Sequence, residues 1–316
     1  MSAHRTKGFL LAAGFGTRLW PLSDVRAKPA FPFRGTALIS HVAAHMHAHG
    51  IRDFWVNTHH LPTSIDVALQ PARALPGASF TLAHEPEILG TSGAIVNLRD
   101  ALGDGEVLIM NAKVVTQIDL SAVMAAHRAS EAPVTMVCVP NPKKERFTHV
   151  AFAKDGTLEG FVSGDKLGPV DKPYVFTGIQ VLSPSFFDFL PPPGFSDTIK
   201  DVYPRIQSAG RRIHVFAANE SWNEFSTLAR YRDLHDGGFV DASATIGKGA
   251  RTDGSVVWER AQIGDGAMLK GCIVADGTVV PPRTTLENVA IIDAARVKNF
   301  EKAATRLGPL LCAPVA

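Results

Sequence analysis

Cysteine is scarce in this chain, with three among 316 residues. Cys138, Cys272 and Cys312 are an odd number, lie far apart and have no metal-ligand spacing. That distribution excludes a disulfide framework and fits reduced thiols in a cytoplasmic protein. Cys138 and Cys272 sit in apolar runs and are expected to be buried packing residues. A strong charge of either sign is also missing. The net charge is +2, which gives no electrostatic reason to expect nucleic acid or an acidic membrane surface as a partner. No run of about 18 apolar residues occurs, so no membrane span is expected. The apolar stretch that follows His4, Arg5 and Lys7 is too short for a signal peptide and lacks a cleavage site.

The composition is otherwise that of an ordinary soluble protein, 46% hydrophobic and 20% charged. The length allows a large core and more than one domain. Strand and helix patterns alternate through the first two-thirds. Strands are predicted at Gly8–Ala13, Asp53–Thr58, Ser79–Ala83, Glu106–Met110 and Val134–Val139. Helices are predicted at Leu38–His49, Ser64–Leu69, Ser92–Leu102 and Leu120–Ser130. This order predicts a mostly parallel sheet with helices on both faces and ligands at the carboxyl ends of the strands. A hairpin follows around Asp155-Gly156, then a strand at Tyr174–Leu182, a helix at Ile199–Ala209 and a strand at Arg212–Ala217.

After about Gly237 the texture changes. Ile246-Gly-Lys-Gly-Ala-Arg, Val257-Trp-Glu-Arg-Ala-Gln and Ile263-Gly-Asp-Gly-Ala-Met recur on a six-residue grid, continued loosely by Ile273 and Asp276-Gly277-Thr278-Val279. Roughly three or four such units predict a short β-helix, with helical or irregular residues from Ala294 capping it.

The most informative stretch is Leu10-Leu11-Ala12-Ala13-Gly14-Phe15-Gly16-Thr17-Arg18-Leu19, followed by Lys28-Pro29. An apolar strand enters a glycine turn whose backbone N–H groups can form an anion-binding concavity. Arg18 and Lys28 add fixed positive charge suited to phosphate oxygens. No third glycine follows at the dinucleotide-fingerprint spacing, and no Gly-Lys-Ser/Thr ends the loop as in a P-loop. The reading from the residues is a triphosphate cradle with a cationic clamp.

The string GFGTRLWPLS followed by AKP resembles the signature of the sugar-1-phosphate nucleotidylyltransferases, of the mannose-1-phosphate guanylyltransferase-like branch. Leu89-Gly90-Thr91-Ser92-Gly93-Ala94, preceded by Glu85-Pro86, is similar to the family's Gly-Thr-[AS]-Gly segment, whose backbone approaches the nucleobase. The resemblance implies an α/β fold, with a mostly parallel Rossmann-like sheet over residues 1–236 and a short left-handed β-helix and tail over 237–316. It implies joining of an NTP, GTP or UTP being favoured, to a sugar-1-phosphate, giving an NDP-sugar and pyrophosphate. Leu11, Ala12, Ala13, Gly14, Gly16, Thr17, Glu85, Gly90, Thr91 and Ser92 would then bind the nucleotide. Arg18 and Lys28 would be catalytic, and Asn111, Thr177 and Gly178 would line the sugar pocket. A homo-oligomer through the β-helix is compatible with the same resemblance.

Two positions depart from the pattern. Asn111-Ala112-Lys113 stands where the family carries Asn-Gly-Asp, whose aspartate ligates Mg²⁺. An ammonium cannot ligate a cation. Trp222-Asn223-Glu224-Phe225-Ser226-Thr227 resembles Trp-x-Asp-[IV]-Gly-Thr, with Glu224 at the second metal carboxylate. Three explanations stand open. Lys113 takes over part of the metal's charge-neutralising role, paired with Glu224; or the chain is a catalytically impaired homologue that binds a nucleotide or nucleotide sugar as a regulatory subunit; or the substitution is engineered. His41, His45 and His49 share a helical face, and because no carboxylate or cysteine joins them in sequence a solvated or partly buried helix face is expected rather than a metal site.

Overall fold

The computed structural model describes residues 6–141, 148–162, 173–298 and 303–315. By its contacts the chain divides into two compact units that interleave in sequence. One comprises residues 1–14, 39–59 and 70–222, and the other residues 15–38, 60–69 and 223–316.

The first unit is built on one twisted sheet. Lys7–Leu11 lies between Asp53–Thr58 and Val107–Asn111, parallel to both, and Ser79–His84 extends the parallel set beyond Asp53–Thr58. Lys7–Leu11 and Val107–Asn111 read as near-continuous apolar runs because both of their faces are covered, whereas Ser79–His84, at the end of the sheet, is nowhere fully buried. Tyr174–Leu182 enters beside Val107–Asn111 in the antiparallel sense and also pairs with Val134–Pro140, so the sheet is mixed at that side. The expected hairpin forms between His149–Phe152 and Leu158–Val162. Phe9, Ile95, Ile109, Met136, Leu182, Phe186, Tyr203 and Val215 form the core between sheet and helices. All three cysteines are free and buried.

Two expected helices are broken. Ser92–Leu102 is instead Gly90–Asn97 and Arg99–Leu102, separated at Leu98. The region of Ile199–Ala209 opens as a π-turn, Thr198–Val202, before the α-helix Tyr203–Ser208. Pro204 lacks the N–H that a regular helix would direct to the carbonyl four residues earlier, and a wider turn accommodates that loss.

The second unit contains the predicted coil. Phe239 pairs with Val256 and Val256 with Ile273, Thr245 with Gln262 and Gln262 with Val279, and Arg251 with Met268 and Met268 with Thr285, all in parallel. Equivalent residues of successive coils are 17 apart, as in the bond from Lys248 N to Asp265 Oδ1. One face of each coil is therefore a residue shorter than a strict six-residue grid. The corners repeat with the same spacing. Gly249, Gly266 and Arg283 all have positive φ, as do Gly254, Gly271 and Asn288. Val257, Ile263, Leu269, Val274, Val280 and Ile291 fill the interior. The end of the coil differs from the expected helical or irregular cap. After a short 3₁₀ turn at Ala294–Arg296, the strands Thr305–Leu307 and Leu310–Pro314 fold back, and Leu310–Pro314 pairs antiparallel with Val289–Asp293. The apolar run Leu310-Leu311-Cys312-Ala313 is buried there, which is why a strand rather than a polar cap closes the edge.

Candidate functional site

The carboxyl ends of the central strands form a row. Leu11 stands in register with Asn57 on one side and Asn111 on the other. Just past the strand, Ala12 N donates to Asn57 Oδ1 at 2.7 Å, and Asn57 Nδ2 donates to Glu85 Oε1 at 2.8 Å. The second Glu85 oxygen accepts from Leu89 N at 3.1 Å. Glu85 is 1% exposed and Asn57 4%. A buried carboxylate requires such donors. It thereby ties the turn after the first strand to the loop that opens at Leu89. Asn57 was not among the residues singled out from sequence. A polar residue ending a buried strand at the sheet's carboxyl edge was the available signal.

Gly90–Asn97 is the helix that the second motif was expected to start. Its glycines permit a close approach, but to the chain itself. A Cβ at Gly90 would collide with the Ser196 carbonyl, and one at Gly93 with the Gly194 carbonyl. Ser92 N and Gly93 N both donate to Ser196 O, at 3.1 and 3.3 Å, and the buried Ser92 hydroxyl donates to Ser196 Oγ at 2.8 Å. Thr91 Oγ1 donates to Asp197 Oδ2 at 3.3 Å and accepts from Thr198 N at 2.8 Å. The side chains of Thr91 and Ser92 thus secure the loop from behind. The segment Gly194–Thr198 was also missed from sequence, since the Pro-rich run before it reads only as a connection.

Asn111 and Gly178 come together. Gly178 has φ +79, and a Cβ there would overlap the Asn111 amide. Only glycine combines that backbone with that contact. Thr177 faces the other way. It is 1% exposed, its hydroxyl donates to Val137 O at 2.8 Å, and its carbonyl accepts from Trp222 Nε1 at 3.0 Å. Its hydroxyl is thus engaged inside the sheet. Ala112 is buried, its N–H donating to Leu11 O, and Lys113 follows in the turn after Val107–Asn111.

In the second unit, Gly16 precedes a 3₁₀ turn at Thr17–Leu19, from which Thr17 and Arg18 are exposed. Lys28 begins another, Lys28–Ala30, and is buried. A Cβ on Gly16 would lie 3.2 Å from Lys28 Cβ, so the glycine turn packs against the base of the lysine. The Lys28 turn is anchored by Ala27 N donating to Ser64 Oγ at 3.0 Å. Glu224 ends the short strand Trp222–Glu224 and is half-buried.

The donor set does not fit a Mg²⁺ ion held by two carboxylates. Ala112 offers a methyl group and Lys113 only N–H donors. Among the described residues no group of three or more His, Cys, Asp or Glu side chains is arranged to hold a metal. The helix histidines make other contacts. His45 meets Ile118 O at 3.0 Å, and burial lowers its pKa; its ring lies edge-on to His49, which meets Ser121 Oγ at 2.9 Å.

The nucleotidyl transferase family model matches residues 7–237, and the chain belongs to that family. Among its relatives is the mannose-1-phosphate guanylyltransferase of Mycobacterium tuberculosis, 24% identical over 295 residues, covering 82% of this chain and 81% of the relative. A probable mannose-1-phosphate guanylyltransferase 1 of Oryza sativa subsp. japonica is 28% identical over 308 residues, covering 93% and 83%. The crystal structure of HddC from Yersinia pseudotuberculosis superposes with a TM-score of 0.62 at 18% identity, covering 73% of this chain and 98% of that one. HddC has also been solved in complex with GMP-PN, and that structure superposes equally well, at 17% identity. Among the described residues no helix is long and apolar enough to cross a membrane.

Proposed function

We propose that this protein is a cytoplasmic sugar-1-phosphate nucleotidylyltransferase that takes GTP or UTP and releases pyrophosphate. The observation that carries the reading is the row Asn57–Leu11–Asn111 at the carboxyl edge of the parallel strands, in a chain whose residues 7–237 match the family. In this reading residues 1–236 carry the transfer, and 237–316 form the left-handed, hexapeptide-type β-helix and tail through which copies would assemble. Leu11–Ala13, Glu85 and Gly90–Ser92 serve the nucleoside, with Glu85 acting through Asn57 and Leu89. Gly14, Gly16 and Thr17 line the triphosphate turn. Asn111, supported on Gly178, faces the sugar, and Thr177 contributes through the backbone bulge it stabilises.

A phosphate oxygen of the sugar-1-phosphate attacks the α-phosphorus of the NTP, and the bond to the bridging oxygen of the β-phosphate breaks. Arg18 neutralises charge on the departing pyrophosphate, and Lys28 holds the α-phosphate or the sugar phosphate. Ala112 and Lys113 offer Mg²⁺ no carboxylate in this reading. Lys113 would supply part of that positive charge. Lys113→Ala is then expected to weaken phosphate binding, and Lys113→Asp to raise dependence on Mg²⁺.

The replacement of a metal carboxylate by Lys113 favours a second reading, a nucleotide-sugar-binding relative with impaired transfer. Pyrophosphate release across a panel of NTPs and sugar-1-phosphates, with and without Mg²⁺, separates the two. Release that needs both substrates supports transfer. Nucleotide binding without release for any pair supports the binding relative.

A further inference from the structure

Lys28 lies in a segment held at both ends by the β-helix, within the second unit. At the front, Arg26 Nη1 lies 3.1 Å from each oxygen of Glu259, and Arg26 Nη2 lies 3.3 Å from Asp276 Oδ1. Its guanidinium carbon sits 4.8 Å above the centre of the Trp258 ring. At the back, the Phe31 ring packs edge-on against Trp258 at 4.9 Å and against Tyr231 at 5.5 Å. Trp258 Nε1 donates to Tyr231 Oη at 2.9 Å, and the Tyr231 hydroxyl donates to Pro32 O at 2.5 Å. Trp258 and Tyr231 are fully buried.

Glu259 and Asp276 occupy equivalent positions on adjacent coils, as the bond from Gly277 N to Glu259 O shows. Coils stack about 4.8 Å apart, so two unpaired carboxylates in that column would repel. The planar guanidinium of Arg26 bridges them, a geometry that a lysine ammonium cannot reproduce. Asp276 is fixed in turn. Arg296 donates to its carbonyl at 2.5 Å and reaches both carboxylate oxygens at 3.3 Å, while the exposed Arg260 stands 3.6 Å away. The side chain of Asp276 is only 13% exposed. The whole arrangement converges on one stretch of chain, Arg26–Pro32, and that stretch carries a buried lysine whose base packs under the glycine turn.

We infer that the β-helix is part of the phosphate-binding machinery: Arg26, Glu259, Asp276 and Trp258 are positioning residues that set the place of Lys28. The inference rests on the proposed role of Lys28 in binding phosphate. Trp258 and Asp276 keep the Arg26–Pro32 segment rigid, so the Lys28 ammonium meets its phosphate without first being ordered, and that preorganisation strengthens binding.

The test compares the full-length wild type with Arg26→Ala, Arg26→Lys and Asp276→Asn, using Lys270→Ala as control. Lys270 pairs with Glu287 on the exposed surface of the same β-helix, away from this network. Calorimetry with a non-hydrolysable GTP or UTP analogue gives affinity. Hydrogen exchange over residues 26–33 and 251–270 gives local order. The expected result is about tenfold weaker binding in Arg26→Ala and Asp276→Asn, with a partial loss in Arg26→Lys. Exchange should quicken over 26–33 and stay slow over 251–270, and the control should match wild type. Wild-type affinity in both Arg26→Ala and Asp276→Asn overturns the inference, as does a control that loses as much affinity as they do. Should Arg26→Ala not fold, Asp276→Asn, which keeps the shape and one acceptor oxygen, decides alone. A wild type that binds neither analogue refutes the nucleotide-binding reading itself, and the inference with it.

Discussion

Asn57 and Glu85 form a short buried relay, Ala12 N to Asn57 to Glu85 to Leu89 N, that joins two loops of the first unit. Removing the carboxylate strands two buried donors. Glu85→Ala is expected to cost about 1–3 kcal/mol for each donor left unsatisfied, read as a lower urea midpoint, and Glu85→Gln should cost less because one acceptor remains. Arg18 is the opposite case, since its side chain is exposed. Arg18→Ala should leave the melting temperature unchanged and weaken NTP binding by about 1.5–3 kcal/mol, roughly ten- to hundredfold. A lower melting temperature with unchanged affinity would instead make Arg18 a structural residue. The sequence singles out Arg18 and Lys28 as fixed charge beside a glycine turn. Asn57 was not legible there, because its partners Ala12 and Glu85 are 45 and 28 residues away along the chain.

At the scale of elements, period and turn chemistry located most strands and helices, and Asp53–Thr58, Leu120–Ser130 and Tyr174–Leu182 match at both ends. The direction of Tyr174–Leu182 could not be read, since a strand's apolar run looks the same in either sense. The sequence of Leu89–Ala94 suggests glycines that make room for a ligand, yet the tightest approach is to Gly194 and Ser196, a contact that local sequence does not record. The helix Leu120–Ser130 carries a titratable group of consequence. His127 is buried between Thr135 Oγ1 at 2.8 Å and Ser183 Oγ at 2.9 Å. Desolvation lowers its pKa to about 4 from 6.5. The folded state therefore holds this imidazole neutral, while the unfolded chain protonates it below its ordinary pKa. Its contribution to stability is complete above pH 6.5 and is lost as the pH falls toward about 4, a decline on the order of 3 kcal/mol. Urea titrations at stepped pH should show that slope, and His127→Gln should flatten it.

On the scale of the whole molecule, the two compact units interleave in sequence. The sequence suggests a boundary near residue 236, but the second unit combines residues 15–38, 60–69 and 223–316. Trp258, from the first turns of the β-helix, is buried against Phe31 and Tyr231. A fragment ending at residue 236 loses that side chain, a loss comparable with a large-to-small aromatic substitution of about 3–5 kcal/mol. It should melt at lower temperature than the full chain, with fluorescence or calorimetry as the readout, and an unchanged melting temperature would contradict this packing argument. The proposed reaction joins an NTP to a sugar-1-phosphate. Pyrophosphate release by the full-length protein, measured over paired panels of NTPs and sugar-1-phosphates, tests it most directly. Release is expected only when both substrates are present, strongest with GTP or UTP and abolished or greatly slowed in Arg18→Ala. The absence of release for every pair, in a protein that still binds nucleotide, would contradict that reaction.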